Sequence, residues 1–111
     1  GMTWTSPTTT TAIQTLTATG SINDGVGVVL LTPAAAMTVT MPQAGSTAYP
    51  VGTVLHIRRT NAHTTTTGIT LSSGTGTPAN RQIESRNSRL MNIGFQSNSF
   101  VATASGWLVI N

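Results

Sequence analysis

Hydrophobic positions in this chain recur every second residue, and no segment sustains the three-to-four-residue spacing of a helix. Met37-Thr38-Val39-Thr40-Met41 alternates apolar and hydroxyl side chains, and residues 53–59 (TVLHIRR) place Leu55 and Ile57 on one face and Val54, His56 and Arg58 on the other. Successive side chains of a strand point to opposite faces, so this is the pattern of half-buried strands. Residues 26–31 (VGVVLL) form a continuous apolar run that suits one fully buried strand. Shorter strand segments follow at 69–71, 81–85, 89–95, 100–103 and 107–110, and residues 12–19 alternate weakly. The alternation predicts Met37, Val39, Met41, Leu55, Ile57, Ile69, Leu71, Ile93 and Phe100 inside, with Thr38 and Thr40 on a wetter face.

Turn chemistry divides these segments. Asn23-Asp24-Gly25 is a strong turn signal, because Gly accepts positive φ and Asn and Asp bond their own backbone. Pro42 ends the strand before it. Residues 43–51, 61–68 and 72–80 read as loops. The spacing predicts an all-β fold, a compact antiparallel β-sandwich or β-prism-like module of about eight or nine short strands. Residues 12–111 form one domain, and residues 1–11 (GMTWTSPTTTT) form an extended or disordered arm in which Trp4 could anchor a neighbour. Gly1 reads as a tag-cleavage remnant ahead of Met2. Thr-x-Thr recurs at Thr15/Thr17/Thr19, Thr38/Thr40 and Thr75/Thr77 without a constant period. Solvent-facing strand positions explain it better than a stacked threonine array of the ice-binding kind.

Composition changes the picture of the surface. Threonine occurs 23 times in 111 residues, charged residues make up 6%, and there is no lysine. A soluble domain ordinarily carries about 25% charged residues, so hydroxyls and amides must hydrate this one. Such a neutral polar skin suits extracellular particles and fibres better than cytosolic enzymes. With no cysteine there is no disulfide framework, and the core is thin for a small domain, which favours an oligomer. No apolar run approaches the length of a membrane span. Arg58, Arg59, Arg81, Arg86 and Arg89 lie in one stretch around Glu84, and the only charge outside it is Asp24. Arginine forms planar, directed hydrogen bonds and tolerates interfaces. The six clustered charges are therefore candidate subunit-interface residues, with at least two arginines bonded there to Glu84 or to backbone carbonyls.

Catalytic chemistry finds few residues to work with. Asp24 and Glu84 are the only acids, too few for a convincing nucleophilic triad or a glycosidase carboxylate pair. His56 and His63 sit on different elements and lack a His-x-His spacing. The arginine stretch has no aromatic between Arg58 and Arg89, which argues against nucleic acid. No enzyme activity, metal or other cofactor is expected. Surface glycan contact is better supplied, by Tyr49 as a stacking face and by His63, Thr64, Thr65 and Thr66 as polar groups. Trp107 reads as core, inside a Trp-Leu-Val-Ile strand.

The order VVLLTPAAAMTVTMPQAG, YPVGTVLHIRRT, GITLSSG and SGWLVIN, over about residues 26–111, resembles small β-structured modules of bacteriophage tail fibres, spike tips and head fibres. The resemblance rests on an apolar-Thr-Val-Thr-apolar-Pro strand at 37–42, a Gly-Thr-Val-x-x-Ile strand at 52–58 and a closing Gly-Trp-aliphatic strand at 105–110. It implies a virion structural protein that trimerises, with no enzymatic residues. The chain carries no collagen-like, coiled-coil or repeat shaft, which points to a short tip or a capsid-bound decoration. Expected partners are further copies of itself, other virion proteins and a host surface glycan. The alternative is a carbohydrate-binding or adhesin-like module of a bacterial surface system.

Overall fold

The computed structural model describes residues 12–74 and 79–111, so the expectations for the arm at 1–11 and for Thr75 and Thr77 lie outside the described residues. The fold is all-β. Nine strands, β1 (Ala12–Leu16), β2 (Gly20–Ser21), β3 (Val26–Leu31), β4 (Met37–Thr40), β5 (Val54–Arg59), β6 (Ile69–Ser72), β7 (Ser88–Leu90), β8 (Ser97–Thr103) and β9 (Gly106–Val109), accompany one 3-10 turn at Ala79–Arg81. One sheet has the order β1-β3-β5-β8-β9 and the other β2-β4-β6-β7.

Both sheets are mixed, which corrects the antiparallel expectation. From β1 to β6 successive strands alternate between the sheets, so each strand meets its sheet neighbour one full circuit later and runs parallel to it. The turn at Asn23-Asp24-Gly25 thus carries the chain from one sheet to the other instead of closing a hairpin, with Gly25 at φ 85°. Between these strands, antiparallel pairing enters at β6–β7, β5–β8 and β8–β9. The circuits differ in length. Ile13 pairs Val28, 15 positions on, but Val28 pairs His56, 28 positions on. That irregularity is why no repeat shows in the sequence.

Side chains from both sheets share one core, including Val29, Leu31, Val39, Leu55, Ile57, Leu71 and Phe100. The expected inward positions of β4, β5 and β6 are buried, and Thr38 is exposed. Trp107 is buried, donates from Nε1 to the Pro42 carbonyl at 2.8 Å, and packs edge-on against Tyr49 at 5.4 Å. Ile93, expected inside, is 69% exposed. The strand that was expected to carry it ends at Leu90, and the chain turns at 93–96, where the Gln96 amide donates to the Ile93 carbonyl. No helix among the described residues is long and apolar enough to cross a membrane.

Candidate interaction surfaces

The parallel register places Leu31 of β3 level with Arg59 of β5, and β8 runs back antiparallel with Ser97 opposite Arg58. The segments 32–36, 60–68 and 91–96 therefore gather at one end of the molecule. Asn61 ties them together. Its Nδ2 donates to the Pro33 carbonyl at 2.9 Å, its carbonyl accepts from the Phe95 amide at 3.0 Å, and its Oδ1 accepts from Arg59 Nε at 3.1 Å. Gly94 eases the contact: a Cβ there would lie 3.1 Å from Ala62 Cα and 3.2 Å from the His63 nitrogen, tight enough that the neighbouring backbone would have to shift.

Arg59 supports this end from beneath. It is fully buried, and its guanidinium makes five hydrogen bonds, to Asn61 Oδ1, His63 Nδ1, Thr67 Oγ1 and the carbonyls of Met91 and Ala62. Every acceptor is neutral. Burial pulls its pKa below the usual arginine value, yet a guanidinium stays protonated in proteins, so an uncompensated positive charge sits under the loop. Arginine only donates, so His63 Nδ1 accepts the 3.2 Å bond from Nη1. In neutral His63 the ring proton then lies on Nε2, at an exposed position. Thr67 Oγ1 accepts from Arg59 Nη2 at 2.7 Å and from the Thr64 amide at 2.9 Å, and the Thr64 hydroxyl lies 3.3 Å from that of Thr66.

His63, Thr64, Thr65 and Thr66 therefore stand together and exposed, as the sequence suggested. Tyr49 does not join them, which corrects its assignment as a stacking face. It is buried against Trp107, with its hydroxyl 2.9 Å from the Asn23 carbonyl and 2.8 Å from that of Val26, at the opposite end of β3. Burial raises its pKa above the ordinary tyrosine value. The exposed ring at the loop end is Phe95, 56% accessible and held at φ 56°. A non-glycine residue in that left-handed region costs on the order of 1–3 kcal/mol. The sequence had placed Phe95 on a strand; Gly94 was the available turn signal.

The other predicted charges are spread out. Arg59, expected at a subunit contact, is enclosed within the fold of its own chain. Arg58 projects from the outer face of the five-stranded sheet, and Arg81 Nη1 donates to the Met41 carbonyl at 3.2 Å. Glu84 accepts at Oε1 from the Val109 amide at 3.2 Å. Glu84 and Ser85, at φ 50° and 64°, form the turn between Ile83 and Arg86, whose backbones bond each other both ways. Arg86 is exposed and Arg89 half-buried opposite Leu71.

The two outer sheet faces differ. On the five-stranded sheet, register aligns Ile13, Val28, His56 and Ser99 in one row and Val54, Val101 and Leu108 in another. Ile13, Val54 and Leu108 are 64%, 37% and 47% exposed. Ser99 bonds His56 Nδ1 at 2.8 Å in the middle of this apolar face. On the four-stranded sheet, Ser21, Thr40, Ser72 and Ser88 align in one row and Thr38, Thr70 and the 61% exposed Leu90 in another, so Thr38 and Thr40 face outward. Among the described residues no group of His, Asp or Glu could hold a metal ion. No family model, curated protein or solved structure matches this chain.

Proposed function

We propose that this chain is a structural module of a bacteriophage particle, a fibre, spike-tip or head-decoration component, that assembles as a homotrimer of sandwich-like subunits and meets the host surface through its loops. The observation that carries the reading is the end surface built on Arg59. Loop side chains are held in place by a buried, fully bonded guanidinium on a rigid two-sheet body, the arrangement expected of a contact surface presented to something outside. The outer face of the five-stranded sheet, where Ile13, Val54 and Leu108 are exposed beside His56 and Arg58, supplies a surface for subunit packing, because exposed apolar groups rimmed by polar ones mark association sites.

The two acids support a non-enzymatic role. Asp24 precedes β3, and Glu84 bonds β9, with β5 and β8 between those strands. Paired glycosidase carboxylates face one scissile bond, whereas these two adjoin strands with two others between them. The reading is tested by raising antibodies to the protein and probing phage particles purified from the bacterium that carries its gene. Labelled particles containing the protein in multiples of three are expected. Its presence on the bacterial envelope and absence from particles would favour the adhesin-like alternative.

A further inference from the structure

Phe95 is the one exposed aromatic among the described residues, since Tyr49, Phe100 and Trp107 are buried. Its backbone occupies a conformation that glycine adopts freely and phenylalanine does not. The residue is 56% exposed, so burial offsets only part of that strain. A strained, exposed ring is retained most simply when something outside the chain uses it. At the same end, joined to it through the Phe95 amide on the Asn61 carbonyl and the close approach of Gly94 to the His63 nitrogen, stand the exposed groups of 63–66: the Nε2–H of His63, a donor oriented by Arg59, and the hydroxyls of Thr64 and Thr66 in the network to Thr67. A flat ring bordered by fixed donors and hydroxyls matches one face of a sugar, whose C–H groups lie on an aromatic and whose hydroxyls need directed partners.

Charge narrows the class. Arg59 beneath the loop has only neutral partners, and Arg58 projects beside the turn that bears Phe95, opposite Ser97. Both acids lie away from this end: Asp24 before the start of β3, and Glu84 at the far edge of the sheet along β9. The charged side chains at this end are therefore the two arginines, with neither acidic side chain beside them. A nucleic acid strand would want successive stacking faces along a basic groove, and here there is one ring.

We infer that the surface formed by Phe95, His63, Thr64, Thr65 and Thr66, with Arg58 at its margin, binds an acidic saccharide, one bearing uronate or phosphate groups. This rests on the reading that the loops contact a host surface, and it names the ligand class.

The test uses the full chain and a panel of uronate- and phosphate-bearing bacterial polysaccharides. Each is paired with its carboxyl-reduced or dephosphorylated counterpart, and a single-stranded oligonucleotide is included. Binding to at least one acidic member is expected, lost on neutralisation and weakened by salt. Phe95→Gly should weaken that binding about tenfold or more while the thermal midpoint holds or rises, because glycine relieves the left-handed backbone. Phe95→Asn, which also tolerates that backbone, serves if the glycine variant folds poorly. Arg58→Gln should weaken binding and flatten its salt dependence. The inference is overturned if no acidic member binds, if neutral counterparts bind equally, if the Phe95 variants bind as well as the parent, or if the oligonucleotide binds best. Particle labelling is an independent measurement. Labelled particles with no acidic-saccharide binding would leave the structural reading intact and remove this one.

Discussion

Removing the Arg59 side chain should destabilise the whole domain and loosen the loop end first. Arg59→Ala deletes five hydrogen bonds at once. Thr67 is buried, and the Met91 carbonyl belongs to a buried residue, so both lose a donor that water replaces poorly. Each buried orphan costs about 1–3 kcal/mol, whereas His63 is exposed and can turn to water. The space vacated by a side chain with no exposed surface adds to the loss. Part of this is offset, because the desolvation cost of an uncompensated cation disappears. We expect a net loss of about 3–5 kcal/mol, a large share of the roughly 5–15 kcal/mol available to a domain. Arg59→Lys keeps the charge but has three donors on a point rather than a planar fork, and should lose about 1–3 kcal/mol. Urea denaturation measures both, and hydrogen exchange at the Thr64, Thr67 and Phe95 amides, all bonded at this end, reports where the loosening begins. A loss below about 1 kcal/mol for Arg59→Ala, with unchanged protection at those amides, would refute the role assigned to Arg59.

Three further outcomes follow from the same structure. Tyr49 is the only tyrosine, and the chain has no lysine or cysteine, so alkaline titration isolates it. Burial raises its pKa above the ordinary 10.0; the unfolded chain then releases the proton first. Stability should be complete below about pH 10 and fall above it, by up to about 1.4 kcal/mol per pH unit until the folded pKa is passed. Urea titrations from pH 8 to 12 should show this slope, and Tyr49→Phe should abolish it. Ser85→Gly should stabilise by about 0.5–1 kcal/mol, because Ser85 sits at φ 64° with an exposed side chain, and thermal melts will show it. Val39→Ala should cost about 1–3 kcal/mol against well under 1 for Thr38→Ala, since Val39 is fully buried and Thr38 exposed; equal losses would reverse the assigned faces of β4.

Local alternation carried far into this fold and then stopped. The inward and outward faces of β4 and β5 follow from period two, which depends only on neighbours along the strand. The same parity puts Arg59 with Leu55 and Ile57, and so marks it as buried, although charge alone suggests the surface. Strand direction was not legible, because each parallel pairing spans a circuit through the other sheet and the circuits differ in length. Tyr49 looked like a loop aromatic; its burial comes from Trp107, which is remote in sequence. The turn at Glu84 and Ser85 has neither Gly nor Asn to announce it. The exposure of His63, Thr64, Thr65 and Thr66 was legible because four polar residues between strands form a surface loop, whereas the exposure of Phe95 was hidden by the expectation of a longer strand.

Mass in solution tests the central claim, that this domain is an assembling structural module, most directly. Light scattering at micromolar concentration should give three times the 11.5 kDa chain mass. Leu108→Arg, which places a charge in the exposed Val54–Val101–Leu108 row of the five-stranded sheet, should return the single-chain mass with the fold intact by circular dichroism. A parent protein that stays monomeric at micromolar concentration, or a Leu108→Arg variant that stays assembled, would contradict the assignment of that face as the subunit contact.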